Sequence, residues 1–209
     1  MDLTAVPTGL STEEQKIFKN ERATGLLSVA FPTVELALKR YGYVGKMNDD
    51  TLRAVSDEIN LYHKGLEKAG SPQARYYRSK EIFNQGNYNV QQMLRLAFVM
   101  SHHHSHQHAI DAFWGLVNPT IQESVPKQQV EQLLRGLVFW AVEFPQHLFN
   151  NEEEPQEDVL AWLKKCGANI NVIIEEQLAK LPAQVTYNDI HDIAPFWSSA
   201  YKIRQELIN

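Results

Sequence analysis

Apolar residues recur at intervals of three and four along most of this chain, and strict two-residue alternation is almost absent. From Leu26 onward, Leu27, Phe31, Val34 and Leu38 form one such stripe. Leu52, Val55, Ile59 and Leu61-Tyr62 form a second, and Met93, Leu96, Ala97 and Met100 a third. Val130, Leu133, Leu134, Leu137, Val138 and Trp140 form a fourth. That spacing gathers side chains on one face of a helix. Further helices are expected from about Asp158 to Cys166 and from Asn169 to Lys180. The β-favouring stretches are very short: Gly45-Lys46-Met47, Asn87-Tyr88-Asn89-Val90, Ser124-Val125 and Gln184-Val185-Thr186-Tyr187. Each lies between two helical stretches. The pattern predicts an all-α chain with strands of only two or three residues.

Composition narrows the function classes. With 209 residues, 44% hydrophobic and 22% charged, the chain can bury a core and form one large domain or two small lobes. Its formal net charge is −5, which argues against tracking nucleic-acid phosphates. A single cysteine, Cys166, rules out an intramolecular disulfide framework or a cysteine-based zinc cluster. No apolar run reaches the roughly 18–20 residues of a membrane span, so no direct membrane insertion is expected. The first residues, Met-Asp-Leu-Thr, carry no basic leader or myristoylation glycine. A cytoplasmic address is expected, with a cytoskeletal or organellar assembly also compatible.

Three segments interrupt the helices: Ala69-Gly70-Ser71-Pro72, the histidine-rich run from Ser101 to His108, and the acidic stretch from Asn150 to Glu157. The histidine run divides the chain into halves of similar size.

Aligning the four short β-like spots exposes a repeat. In Gly86–Leu94 and Ala183–Ile190, a β-favouring residue is followed two positions later by a second apolar or aromatic one, and three later by the first buried residue of a helix. In the first and third spots, Met47 and Val125 precede the first apolar helical residue, Leu52 or Val130, by five positions with polar residues between. This alternation resembles the EF-hand superfamily, over about residues 26–194. The resemblance implies two EF-hand-like lobes of the calcineurin-B-like or neuronal-calcium-sensor-like kind. Met47 is expected to pair with Tyr88, and Val125 with Val185. The separations from Met47 to Tyr88, Tyr88 to Val125 and Val125 to Val185 are 41, 37 and 60 residues. The last requires an insertion, which the acidic stretch near 150–157 supplies. The expected layout is an N-terminal extension (1–25), a first pair (26–101), a histidine-rich linker (102–108), a second pair (109–194) and a C-terminal amphipathic helix (195–209).

The resemblance does not extend to calcium chemistry. A calcium loop places oxygen ligands at positions 1, 3 and 5 and a bidentate glutamate at 12. With Met47 as position 8, these positions hold Arg40, Gly42, Val44 and Thr51. The second loop has Glu81, Phe83, Gln85 and Gln92, the third Asn118, Thr120, Gln122 and Gln129, and the fourth Leu178, Lys180, Pro182 and Asp189. None keeps the carboxylate cage, so calcium is not expected and no cofactor is implied.

What the resemblance leaves is an apolar groove gripping a partner's amphipathic helix without an ionic trigger. Candidate lining residues are Phe31, Leu38, Val55, Ile59, Met93, Leu96 and Met100 in the first half. The second half offers Phe113, Trp114, Leu134, Leu137, Trp140, Phe196 and Trp197. Helical spacing alone makes such residues core at least as readily as groove. Phe196, Ala200, Ile203 and Leu207 share a face and can fold back on the second lobe or dock on another protein. The expected function is a non-catalytic interaction subunit of a larger protein complex.

Two alternatives remain at this stage. One is a transition-metal module at the histidine cluster. On a helix, His102 and His106 share a face, as do His104 and His108, and paired imidazoles bind zinc, nickel or copper. The other is a small all-helical enzyme, with Cys166 and a histidine as nucleophile and base. No phosphate loop, nucleophile elbow or metalloprotease motif supports it.

Overall fold

The computed structural model describes residues 9–42, 47–59, 68, 70–152 and 154–209. The first residues Met-Asp-Leu-Thr, Val44, Gly45, Lys46, Leu61-Tyr62, Ala69 and one residue of the acidic stretch, named above, lie outside them. The chain divides into two compact units, residues 1–102 and 103–209.

The first unit opens with a helix that the apolar periodicity did not predict, α1 (Thr12–Arg22). Ser11 caps it by accepting from the Glu14 amide, and Glu13 and Glu14 complement the positive end of the helix dipole. Its inner side buries Ile17 and Phe18, so this part of the expected extension contributes to the core. The stripe expected from Leu26 starts later. Gly25 takes a φ of +79°, a 3₁₀ turn covers Leu26–Ser28, and α2 runs from Phe31 to Gly42. Helix α3 (Asp49–Glu58) follows, then α4 (Pro72–Tyr77). A two-residue hairpin pairs β1 (Phe83–Asn84) with β2 (Asn87–Tyr88). Its turn residues, Gln85 and Gly86, both have positive φ, as a type I′ turn requires. Helix α5 (Val90–Met100) lies against α2, where Phe31 meets Phe98 edge-to-face at 5.5 Å. The Gly42–Val90 approach is close: a Cβ on Gly42 would sit 2.5 Å from Val90 Cγ2.

The second unit begins with α6 (His106–Val117), capped by Ser105. Strand β3 (Ser124–Pro126) leads into α7 (Lys127–Val138). A π turn over Phe139–Glu143 joins α7 to α8 (Phe144–Asn150). Pro145 explains part of this: it has no amide to give the Ala141 carbonyl four residues back. The buried Arg204 guanidinium donates to that carbonyl instead, at 2.8 Å. Helices α9 (Glu157–Ala168) and α10 (Ile170–Ala179) precede β4 (Gln184–Thr186) and a 3₁₀ turn over Tyr187–Ile190. The added length before β4 is therefore largely helical, α8 packing on α9, and the acidic stretch is only the turn between them. Short α11 (Ala194–Trp197) and α12 (Ala200–Ile208) end the chain. Helix α12 buries Ile203 and Leu207 against α7, α9 and the π turn. Asn169 donates to the Leu207 carbonyl at its end, at 2.7 Å. The C-terminal segment thus packs on its own unit.

The protein is mostly helical, with two small two-stranded antiparallel sheets. No helix among the described residues is long and apolar enough to cross a membrane.

Candidate functional site

The short β segments pair between helices. In the first unit Met47 forms an antiparallel bridge with Tyr88, the Tyr88 amide donating to the Met47 carbonyl at 2.6 Å. In the second, β3 and β4 are antiparallel, with Val125 opposite Val185. Met47, Val125 and Val185 are essentially buried. These are the residue pairs expected from the repeat. The expected strand at Asn87–Val90 is shorter than read, because Asn89 turns out to cap α5.

Side chains close the turns beside these pairs. Asn48 and Thr51 form a capping box at the start of α3. Asn89 accepts from the Gln92 amide at 3.2 Å. The carboxylate of Asp189 accepts from both the amide and hydroxyl of Thr186, each at 2.7 Å, and the Thr186 bonds hold its pKa below the usual carboxylate value. Thr51, Gln92 and Asp189 are the residues aligned with position 12 of a calcium loop, and in each turn that residue takes part in a helix cap. In the third turn the buried Asn118 side chain accepts from the Gln122 amide (2.9 Å) and donates to the Gln122 carbonyl (2.7 Å).

A polar knot fastens the first unit's paired segments. The Tyr88 hydroxyl donates to Asp49 at 2.7 Å, and Arg78 reaches the same oxygen at 2.9 Å. The Arg78 guanidinium also lies 4.4 Å from the centroid of the Phe83 ring, a cation–π contact. Burial works against ionising Asp49. The Tyr88 hydrogen bond and the Arg78 bond and charge outweigh it, so its pKa falls. Burial, aided by Asp49, pushes the Tyr88 hydroxyl well up.

The candidate groove residues lie almost wholly inside the two cores. Phe31, Leu38, Val55, Ile59, Met93, Leu96 and Met100 are buried in the first unit. Phe113, Leu134, Leu137, Trp140 and Trp197 are buried in the second. Only Trp114 and Phe196 are half-exposed. Leu38, Val55, Ile59 and Met93 nevertheless line an apolar cavity with Leu26, Val34, Leu52, Tyr77 and Ala97. Its volume is about 10 Å³, near the space of one water molecule.

The histidine run does not form the expected helical pairs. Helix α6 starts at His106, so His102 and His104 precede it. His102 instead joins a parallel bridge with Ala30. His104 and His108 do approach, with ring centroids 5.6 Å apart. Among the described residues, no three His, Cys, Asp or Glu side chains converge to hold a metal ion. Cys166 is fully buried, 3.8 Å from the Arg204 carbonyl.

A surface cluster that the sequence did not reveal lies on the second unit. Gln107, Asp111 and Trp114 share one face of α6 by their spacing. Tyr187, from the 3₁₀ turn after β4, donates its hydroxyl to Asp111 at 2.5 Å and receives a short hydrogen bond from Gln107. Asp111 draws the Tyr187 hydroxyl pKa upward. The Tyr187 ring stands at 81° to Trp114, with centroids 6.2 Å apart, and at 89° to His191. Of these residues only Trp114 was a sequence candidate. Seventy-odd residues separate it from Tyr187, and no local pattern links them.

Comparison of the chain with protein-family models, curated proteins and solved structures gives no match.

Proposed function

We propose that this chain is a non-catalytic, calcium-independent interaction subunit with two EF-hand-like lobes, which holds an apolar or amphipathic helix of a partner protein. The observation that carries the reading is the antiparallel pairing of Met47 with Tyr88 and of Val125 with Val185, each between flanking helices. Helix contacts support it. In a pair of helix–loop–helix units, the first helix of one packs on the last helix of the other, and α2 packs on α5 as α6 does on α11. Likewise α7 meets α10. Calcium independence is supported by the caps: three of the position-12 residues are engaged in closing helix ends, and Asn118 bonds across its own turn.

The partner's helix enters the first lobe. There α2, α3 and α5 surround an apolar cavity lined by Leu38, Val55, Ile59 and Met93, the groove candidates of that lobe. In the second lobe, α12 already covers apolar residues of the chain itself.

The test combines two measurements. Calorimetric titration with calcium is expected to give no saturable heat, and micromolar binding refutes calcium independence. Cross-linking of the protein purified with its native partner is expected to join the partner to α2, α3 or α5. Cross-links confined to other elements refute the clasp.

A further inference from the structure

We propose that Asp111, Trp114 and Tyr187 form a docking point for an arginine side chain of a positively charged partner protein. This surface is distinct from the buried faces on which the clasp rests. Three observations lead to it. First, the rings are fixed in advance. Tyr187 is tied by hydroxyl hydrogen bonds to Asp111 and Gln107, and its ring stands nearly perpendicular to Trp114. A site whose rotamers are already set loses little entropy on binding.

Second, the cluster has an anion and aromatic faces but no cation. Asp111 is exposed and takes neutral donors on one oxygen. Among the described residues, no Lys or Arg pairs with Asp111 or lies over the Trp114 or Tyr187 ring, and the one imidazole beside the cluster, His191, stands against the Tyr187 ring at 89°. A guanidinium satisfies both at once, since its planar fork meets a carboxylate while its face stacks on an aromatic ring. Lysine, a compact point charge, does only the first well.

Third, the surrounding charge selects a cationic partner. Residues 103–209 contain fourteen acidic and seven basic side chains, although the whole chain is only at −5. An excess of this sign steers basic partners toward the unit and repels acidic ones.

The test uses the full chain and a fluorescein-labelled peptide of leucine and arginine at helical spacing, read by anisotropy. Lysine and glutamate versions of the peptide serve as probes of chemistry. The arginine peptide is expected to bind more tightly than the lysine one, and the glutamate one not at all. Asp111→Asn, which keeps the size of the side chain, and Trp114→Ala are each expected to weaken binding by at least about fivefold. The double variant Glu175→Gln, Glu176→Gln removes charge from exposed positions of α10, and is expected to stay within about twofold of the parent. Circular dichroism checks that each variant is folded. The proposal is overturned by any of four results: no binding of the arginine peptide, parental affinity in Asp111→Asn, equal weakening by the α10 variant, or a dimer in sedimentation that Asp111→Asn dissociates. The third reduces the effect to general electrostatics, and the last makes a second copy of the chain the occupant.

Discussion

Replacing Gly42 by alanine tests the closest approach between α2 and α5. Gly42 is the last residue of α2, so helix propensity favours the change by no more than the roughly 0.5–1 kcal/mol that a helix interior would give. The structure predicts the opposite sign. The new Cβ would lie 2.5 Å from Val90 Cγ2, 3.2 Å from Cγ1 and 3.3 Å from Cβ. All three atoms belong to one branched side chain, stiff at χ1, so rotating it away from one clash turns another methyl inward. Overpacking of this kind costs about 1–3 kcal/mol, and the expected net loss is about 1–2 kcal/mol. The assay is urea denaturation followed by far-ultraviolet circular dichroism. All four tryptophans lie in residues 103–209, so fluorescence reads that unit separately. In a Val90→Ala background both methyls are gone and only the 3.3 Å approach to Cβ remains, so Gly42→Ala should then be close to neutral or mildly stabilising. If Gly42→Ala has the same effect in the parent chain as in the Val90→Ala one, α2 and α5 do not meet as described.

Other changes probe the remaining contacts. Removing residues 195–209 should lower the midpoint of the fluorescence transition, since α12 buries Ile203 and Leu207. An unchanged midpoint means this helix does not pack on its unit. Arg204→Met keeps the bulk but leaves the Ala141 carbonyl without its donor. It should cost about 1–3 kcal/mol by denaturation, and a neutral result removes that carbonyl's need for Arg204. Ile121 is 92% exposed and has a φ of +54°, unfavourable for a β-branched residue, so Ile121→Gly should stabilise by about 1 kcal/mol. Destabilisation there means that the Ile121 side chain holds the loop. Asp49 has a folded-state pKa below its unfolded value, so its contribution is present above about pH 4 and disappears as pH falls through the folded value. The acid transition of the dichroism signal should therefore be shallower in Asp49→Asn, and an identical transition refutes the role of the Arg78–Asp49–Tyr88 knot.

The helices and their β contacts were legible because both depend on local spacing. Met47, Tyr88, Val125 and Val185 sit between amphipathic stretches, and their types favour strand. Helix α1 was missed since Thr12–Arg22 is mostly polar, and its start is signalled by Ser11 and two glutamates more than by an apolar stripe. The hairpin at Phe83–Tyr88 was missed because Gln85-Gly86 is a weaker turn signal than Asn-Gly. Ser105 sets the start of α6 and so removes the His102–His106 pairing that an uninterrupted helix would create. Periodicity identified the apolar faces at Leu38, Val55 and Met93. It carries no information about what covers them, and so core could not be told from groove. The Asp111–Trp114–Tyr187 cluster joins α6 to a turn more than seventy residues later, and only the tertiary packing of α6 on that turn brings them together.

Pro145 and Arg204 illustrate a division of labour with an evolutionary consequence. The proline creates a vacancy in one helix, and a side chain from the far end of the chain fills it. Restoring a donor at residue 145 would relieve Arg204 of this one bond and loosen the constraint on it. While the proline stays, the two positions constrain each other, and either is expected to drift only after the other has moved.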